Sequence, residues 1–107
     1  MQRVTMVRYT TKPNHAAQNE ALSRAVFTEL HTTAPEGVAY ALFRDGRQFT
    51  HLFVNLRDED ADVLTELPSF KAFTKDAADR YEAPPAVERL AVQLVDSYGF
   101  AGAMAPA

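Results

Sequence analysis

The 107-residue chain contains no cysteine and no tryptophan. The first absence excludes disulfides, thiolate metal sites and cysteine nucleophiles, and it is compatible with a reducing compartment. Long apolar runs are also missing. None approaches the roughly 20 residues of a membrane-spanning helix, and Met1-Gln2-Arg3-Val4-Thr5 lacks the apolar stretch of a signal peptide. A cytoplasmic protein with no membrane partner is the expectation. Lysine and arginine are scattered singly, the net charge is −3 and the pI is near 5.5. A chain of this charge is not expected to bind nucleic acid, which calls for a basic patch. Only four glycines occur. They do not cluster, so no dinucleotide or phosphate-loop fingerprint is present, and no G-x-S-x-G either.

What the chain does contain is an ordinary globular mixture, with 47% hydrophobic and 23% charged residues. Its length suits one domain, placed at residues 1–98. Residues 99–107 end in small residues without period and read as a flexible tail.

Alternation of β-branched and aromatic residues predicts a strand over Arg3 to Thr10. Pro13 follows, with Thr11 or Asn14 as candidate caps. Ala16 to His31 has no Gly or Pro. Leu22, Val26 and Leu30 recur there at spacing four with Ala25 beside them, the stripe of an amphipathic helix. Pro35-Glu36-Gly37 breaks it. Val38 to Arg44 and Gln48 to Leu56 read as strands around Asp45-Gly46, a hairpin signal expected to form a type I′ turn. Acidic Asp58-Glu59-Asp60-Ala61-Asp62 suits a solvated helix start, and a short helical stretch follows over Ala61 to Glu66. From Pro68, Phe70, Phe73, Ala77 and Tyr81 give a second helix an apolar edge, ended by Pro84-Pro85. Val87 to Tyr98 reads as the last strand. The order β-α-β-β-α-β is the ferredoxin-like plan, an α+β four-stranded antiparallel sheet with both helices on one face.

A two-residue turn at Asp45-Gly46 would set Arg44 opposite Arg47, Leu42 opposite Phe49, Tyr40 opposite His51 and Val38 opposite Phe53. One sheet face then carries Val38, Tyr40, Leu42, Phe49, His51, Phe53 and Asn55. The other carries Ala39, Ala41, Phe43, Thr50, Leu52, Val54 and Leu56. The small residues of the second face suit close helix packing, and the first is rich in aromatics. Both are largely apolar, so a lone chain would leave one apolar face wet. A homodimer with sheets packed face to face is the expected partner arrangement.

With Pro35-Glu36-Gly37 opening the second strand and Leu67-Pro68-Ser69-Phe70-Lys71-Ala72-Phe73 in the second helix, the chain resembles the dimeric α+β barrel superfamily, in particular antibiotic-biosynthesis-monooxygenase-like proteins. The resemblance spans roughly Val4 to Tyr98. It implies a cofactor-independent monooxygenase or related oxidoreductase acting on a small aromatic or quinol-like molecule. Members with quinol-oxidising or haem-degrading activity tend to carry a helix His, an acid in the third strand or a Trp. Here Ser69 and Leu64 stand at the helix positions, the third strand reads Phe53-Val54-Asn55, and Trp is absent. Inherited chemistry must use other residues.

Tyr40 and His51 are the candidate catalytic pair. Oxidation of a phenol without a cofactor needs a base to make the electron-rich anion and an apolar pocket that restricts water. Phe49, Phe53 and Leu42 are candidate walls, Arg8 a candidate contact for an anionic ligand, and Asn55 a group to orient a carbonyl. The plainer reading has Tyr40 and His51 bonded together inside a dimer core, Arg8 ending its strand in solvent and Asn55 marking a frayed strand end. No metal site is expected, because His15, His31 and His51 are dispersed. The alternatives to an enzyme are a non-catalytic small-molecule-binding domain and a structural dimer.

Overall fold

The structure is a computed structural model that describes residues 2–57 and 62–99. The tail beyond Gly99 and most of the acidic cluster (Asp58 to Ala61) lie outside the described residues. Strand β1 (Gln2–Thr10) leads to helix α1 (Ala16–Thr33), and then to strands β2 (Val38–Asp45) and β3 (Gln48–Asn55). Helices α2 (Val63–Glu66), α3 (Pro68–Lys75) and α4 (Ala77–Arg80) follow, then strand β4 (Ala86–Val92). The strands form one antiparallel sheet in the order β2-β3-β1-β4, as the ferredoxin-like plan requires.

The hairpin differs from expectation by one position. Asp45 pairs with Gln48, so Gly46 and Arg47 are the loop residues. Gly46 has φ +61° and Arg47 is not in the positive region, the pattern of a type II′ turn with glycine at its first central position. The whole ladder shifts accordingly. Leu42 faces His51, Tyr40 faces Phe53, and Val38 faces Asn55. Because both strands move by one residue, the two face sets stay intact.

Which face the helices cover is the larger correction. They lie over the aromatic face, not the small-residue one. Tyr9 and Phe49 join Val26 of α1 and Phe73 of α3 in the core, and Phe27 of α1 stacks on Tyr40 with centroids 4.6 Å apart. Rings from sheet and helices interlock, which buries far more apolar area than alanines would allow. The other face remains open, with Phe43 59% and Leu90 51% exposed.

The helices also depart in detail. Helix α1 starts at Ala16 with His15 before it and no side-chain cap from Thr11 or Asn14. Thr11 is instead buried and bridges to Tyr81. Ala25 faces solvent, while the inward stripe includes Asn19 and Ser23 beside Val26. Ala34 closes the helix in the left-handed region, its N–H bonded to the Leu30 carbonyl. The helix expected from Pro68 to Tyr81 breaks at Asp76, where φ is −120°. The last strand stops at Val92, because Gln2–Val92 is the final pair with β1. Beyond it the Leu94 N–H turns to the Gln2 side chain.

Candidate functional site

Between the aromatic sheet face and helices α2 to α4 lies a cavity of about 340 Å³. It therefore sits on the helix side of the sheet, within one chain. Tyr40, His51, Phe53 and Asn55 line it, so four of the residues singled out from sequence converge there. Asn55 is no frayed end; it is buried and paired with both Arg3 and Val38. Phe70, Phe73 and Tyr81 supply the opposite wall, and Arg3, Thr5 and Arg89 the remainder of the sheet floor.

Three expected residues, Leu42, Arg8 and Phe49, are outside the cavity lining. Arg8 lies on the opposite sheet face, because its parity along β1 is that of Val4 and Met6. It is exposed there and reaches Glu88 at 3.8 Å. Phe49 does not touch the cavity. It is buried one pleat beyond His51, stacked on Tyr9 with centroids 5.6 Å apart.

His51 is 6% exposed and held between two phenols. Tyr40 Oη lies 2.6 Å from Nδ1 and Tyr9 Oη 2.7 Å from Nε2. Tyr40 reaches the ring diagonally across the hairpin rather than from the directly opposite position. Burial pushes the His51 pKa down to about 4, so the imidazole is neutral at pH 7. Desolvation raises both phenols well above their ordinary range, offset in part at Tyr9 by the bond from Asn19. A buried imidazole flanked by two phenols is a poor proton acceptor.

Arg80 is buried, and a guanidinium only donates. Its Nε donates to Asn19 Oδ1 at 3.0 Å and its Nη2 to the Phe73 carbonyl at 2.7 Å. The Asn19 amide is thereby oriented, and its Nδ2 donates to Tyr9 Oη at 2.7 Å. A Tyr9 proton given to His51 Nε2 places the imidazole proton on Nδ1, donated to the Tyr40 oxygen, whereas one given to Tyr81 reverses that order. In the first order the Tyr40 hydroxyl proton is left for a partner in the cavity. Each donation strengthens the next, so Tyr40 becomes a better donor than an isolated phenol.

Sequence reasoning missed Tyr9, Asn19, Arg80, Arg3 and Arg89. For Asn19 a signal existed: it sits three and seven residues before Leu22 and Val26, a polar residue on the apolar stripe. Ser69, where a helix His was looked for, has a structural task. Its N–H and Oγ both donate to Glu29 Oε1, at 3.0 and 2.6 Å, tying the start of α3 to α1 and holding the Glu29 carboxyl below its ordinary range. Among the described residues no group of three or more His, Asp or Glu is placed to hold a metal, and no helix is long and apolar enough to cross a membrane.

No family model matches the chain, and no curated protein does. Solved structures do. Rv0793 of Mycobacterium tuberculosis superposes with a TM-score of 0.76 at 20% identity, over 91% of this chain and 100% of its own. A structure named as an antibiotic biosynthesis monooxygenase gives 0.68 at 18% identity, over 86% and 98%. A Nitrosomonas europaea protein with the same name, provisionally given, scores 0.73 at 13% identity, over 90% and 94%. The chain thus has the ferredoxin-like fold of antibiotic biosynthesis monooxygenase-like proteins. At these identities the likeness concerns the fold, and function is argued from the site.

Proposed function

We propose that this chain is a cofactor-independent monooxygenase-like oxidoreductase that binds a small aromatic or quinol-like molecule in the helix-side cavity. The observation that carries this reading is Tyr40, lining an aromatic-walled cavity at the end of a hydrogen-bond chain anchored on Arg80. A donor aimed at a bound phenolic oxygen stabilises the phenolate or enolate form, and that anion is what surrenders electrons to dioxygen. Tyr40 is the residue that meets the substrate. His51 acts through it, fixing its oxygen as an acceptor and its proton as outgoing. In a quinol oxidation two electrons and two protons pass to dioxygen, giving quinone and hydrogen peroxide. In a monooxygenation an activated CH2 becomes C=O; the substrate supplies four electrons and the second oxygen atom leaves as water.

The test is oxygen uptake on a quinol and polycyclic phenol panel. Turnover above buffer is expected, reduced about 100-fold or more in Tyr40→Phe, with peroxide yield separating the two stoichiometries. No rate above buffer on any member would sink the catalytic reading. One observation favours a second reading, a non-catalytic binder: both His51 nitrogens are engaged by tyrosines, so no free base faces the cavity. Ligand-dependent stabilisation without oxygen uptake would select it.

The assembly we propose is a homodimer in the cytoplasm, built from the domain at residues 1–98, with 99–107 as a tail. The open sheet face, with Phe43 and Leu90 exposed, is the surface a second copy would cover. Light scattering should give twice the chain mass, reverting to one chain mass in Phe43→Asp/Leu90→Asp; a wild-type monomer at high concentration would refute the assembly.

A further inference from the structure

The arginines of this chain are almost all committed. Arg8, Arg24, Arg44 and Arg47 reach carboxylates, and Arg80 and Arg57 donate to carbonyl oxygens. Among the described residues, Arg3 and Arg89 alone have no such partner, and both line the cavity. Arg3 Nε is buried without a hydrogen bond. A buried unmet donor on a cation is costly unless something that binds there satisfies it.

Register brings the two together. Arg3 pairs with Ala91 and Thr5 with Arg89, so the two arginines are diagonal neighbours on the same face of adjacent strands, with Thr5 directly opposite Arg89. Like charges so placed repel each other. Among the described residues no Asp or Glu lines the cavity to offset them, in a chain whose net charge is −3. His51 and Arg3 are four residues apart in pairing register along β1 and β3, since Val7 faces His51 and Arg3 faces Asn55. That is roughly 13 Å of strand, the reach of a fused aromatic ring system with a substituent at each end.

We infer that the cavity selects an anionic aromatic ligand, whose carboxylate sits between Arg3 and Arg89 while its ring hydroxyl meets Tyr40. The inference rests on reading the cavity as a small-molecule site. Two cations and a hydroxyl supply charge-assisted donors to a carboxylate, bidentate in the arginine case. Phe53, Phe70 and Phe73 enclose the rings between the two polar ends.

The experiment uses 6-hydroxy-2-naphthoate and its neutral near-isostere 6-hydroxy-2-naphthamide, with binding measured by titration calorimetry on the full chain. Wild type should bind the acid at least about tenfold more tightly than the amide, as hydrogen bonds to charged groups warrant. Raising the salt from 0.05 to 0.5 M should narrow that gap. Arg89→Gln, on an exposed strand position, should reduce the preference severalfold, and Arg3→Gln/Arg89→Gln should bring it within twofold, chiefly by weakening binding of the acid. Equal binding of acid and amide by wild type, blocked in both cases by the wall variant Thr74→Trp, would overturn the anion inference and leave the cavity reading standing. Binding of neither probe would overturn both. A preference that survives in the double variant would show that the arginines are not its source.

Discussion

The two faces of this sheet are built from the same strands and nearly the same share of apolar residues, yet they have opposite fates. On one, Phe49 is buried under α1 and α3; on the other, Phe43, only six residues away, is 59% exposed. Hydrophobicity does not distinguish them. Ring geometry does. The covered face offers Tyr9, Tyr40, Phe49, His51 and Phe53 as a continuous aromatic floor, onto which Tyr81 stacks at 3.9 Å and Phe73 tilts at 5.7 Å. The open face offers aliphatic residues, alanines and a single exposed Phe, a surface with no comparable stacking contacts. The polar groups follow the same division. Arg80, Asn19 and His51 are buried and bonded on the covered face, while Arg8 and Glu88 meet in solvent on the other.

The sharpest way to break this comparison is to remove the matched rings. Phe49→Ala should cost about 3–5 kcal/mol in urea unfolding, the usual loss for a fully buried aromatic. Phe43→Ala should cost under about 1 kcal/mol in dilute solution. A cost at Phe43 that grows with protein concentration would be the mark of a second copy over that face. Equal costs at the two sites in dilute solution would refute the assignment of faces.

Next in size is a pH effect confined to the covered face. The folded His51 titrates near 4, against about 6.5 when unfolded. Between those values the unfolded chain binds the proton that the folded chain refuses. Stability is therefore full above about pH 6.5 and falls as pH drops toward 4, by roughly 3 kcal/mol. Urea midpoints from pH 7.5 to 4.5 should show the decline, and His51→Gln should flatten it. An unchanged slope in the variant would place the pH dependence on other groups. Asn19→Leu should follow at about 1–3 kcal/mol, because it leaves the Arg80 Nε and the Tyr9 oxygen without their partner. The same variant should weaken any Tyr40-dependent turnover while Tyr40 itself stays in place. Smallest of all, Arg8→Ala should stay within about 0.5 kcal/mol, as exposed ion pairs do. A larger effect would mean that the open face is covered.

Much of the fold was legible in the chain because it rests on alternation. Strand parity alone sorted Tyr40, His51, Phe53 and Asn55 onto one face, and breakers marked the elements. The register was not legible to the residue, since Asp45-Gly46 and Gly46-Arg47 both place glycine in a two-residue loop, and only the backbone shows which pair turns. The side taken by the helices was misjudged because small residues suggest close approach, whereas interlocking rings bury more. Arg3 and Arg89 escaped notice for an electrostatic reason: a lone arginine on a strand looks solvated until the described residues around it are seen to offer no acid. Arg80 and Asn19 escaped because their pairing spans 61 residues of sequence, beyond any local pattern.

The hairpin's Gly46-Arg47 loop has a bearing on how such a site is inherited. Tyr40 and His51 owe their contact to where the chain reverses, eleven residues of sequence apart and outside the cavity altogether. One residue gained or lost in that reversal would turn Tyr40 to the bare face and leave His51 behind, taking Tyr40 out of the cavity wall. Descendants of this chain can therefore lose or regain the pair through the length of a surface loop, so relatives are better compared by loop count at that corner than by which residues their helices carry.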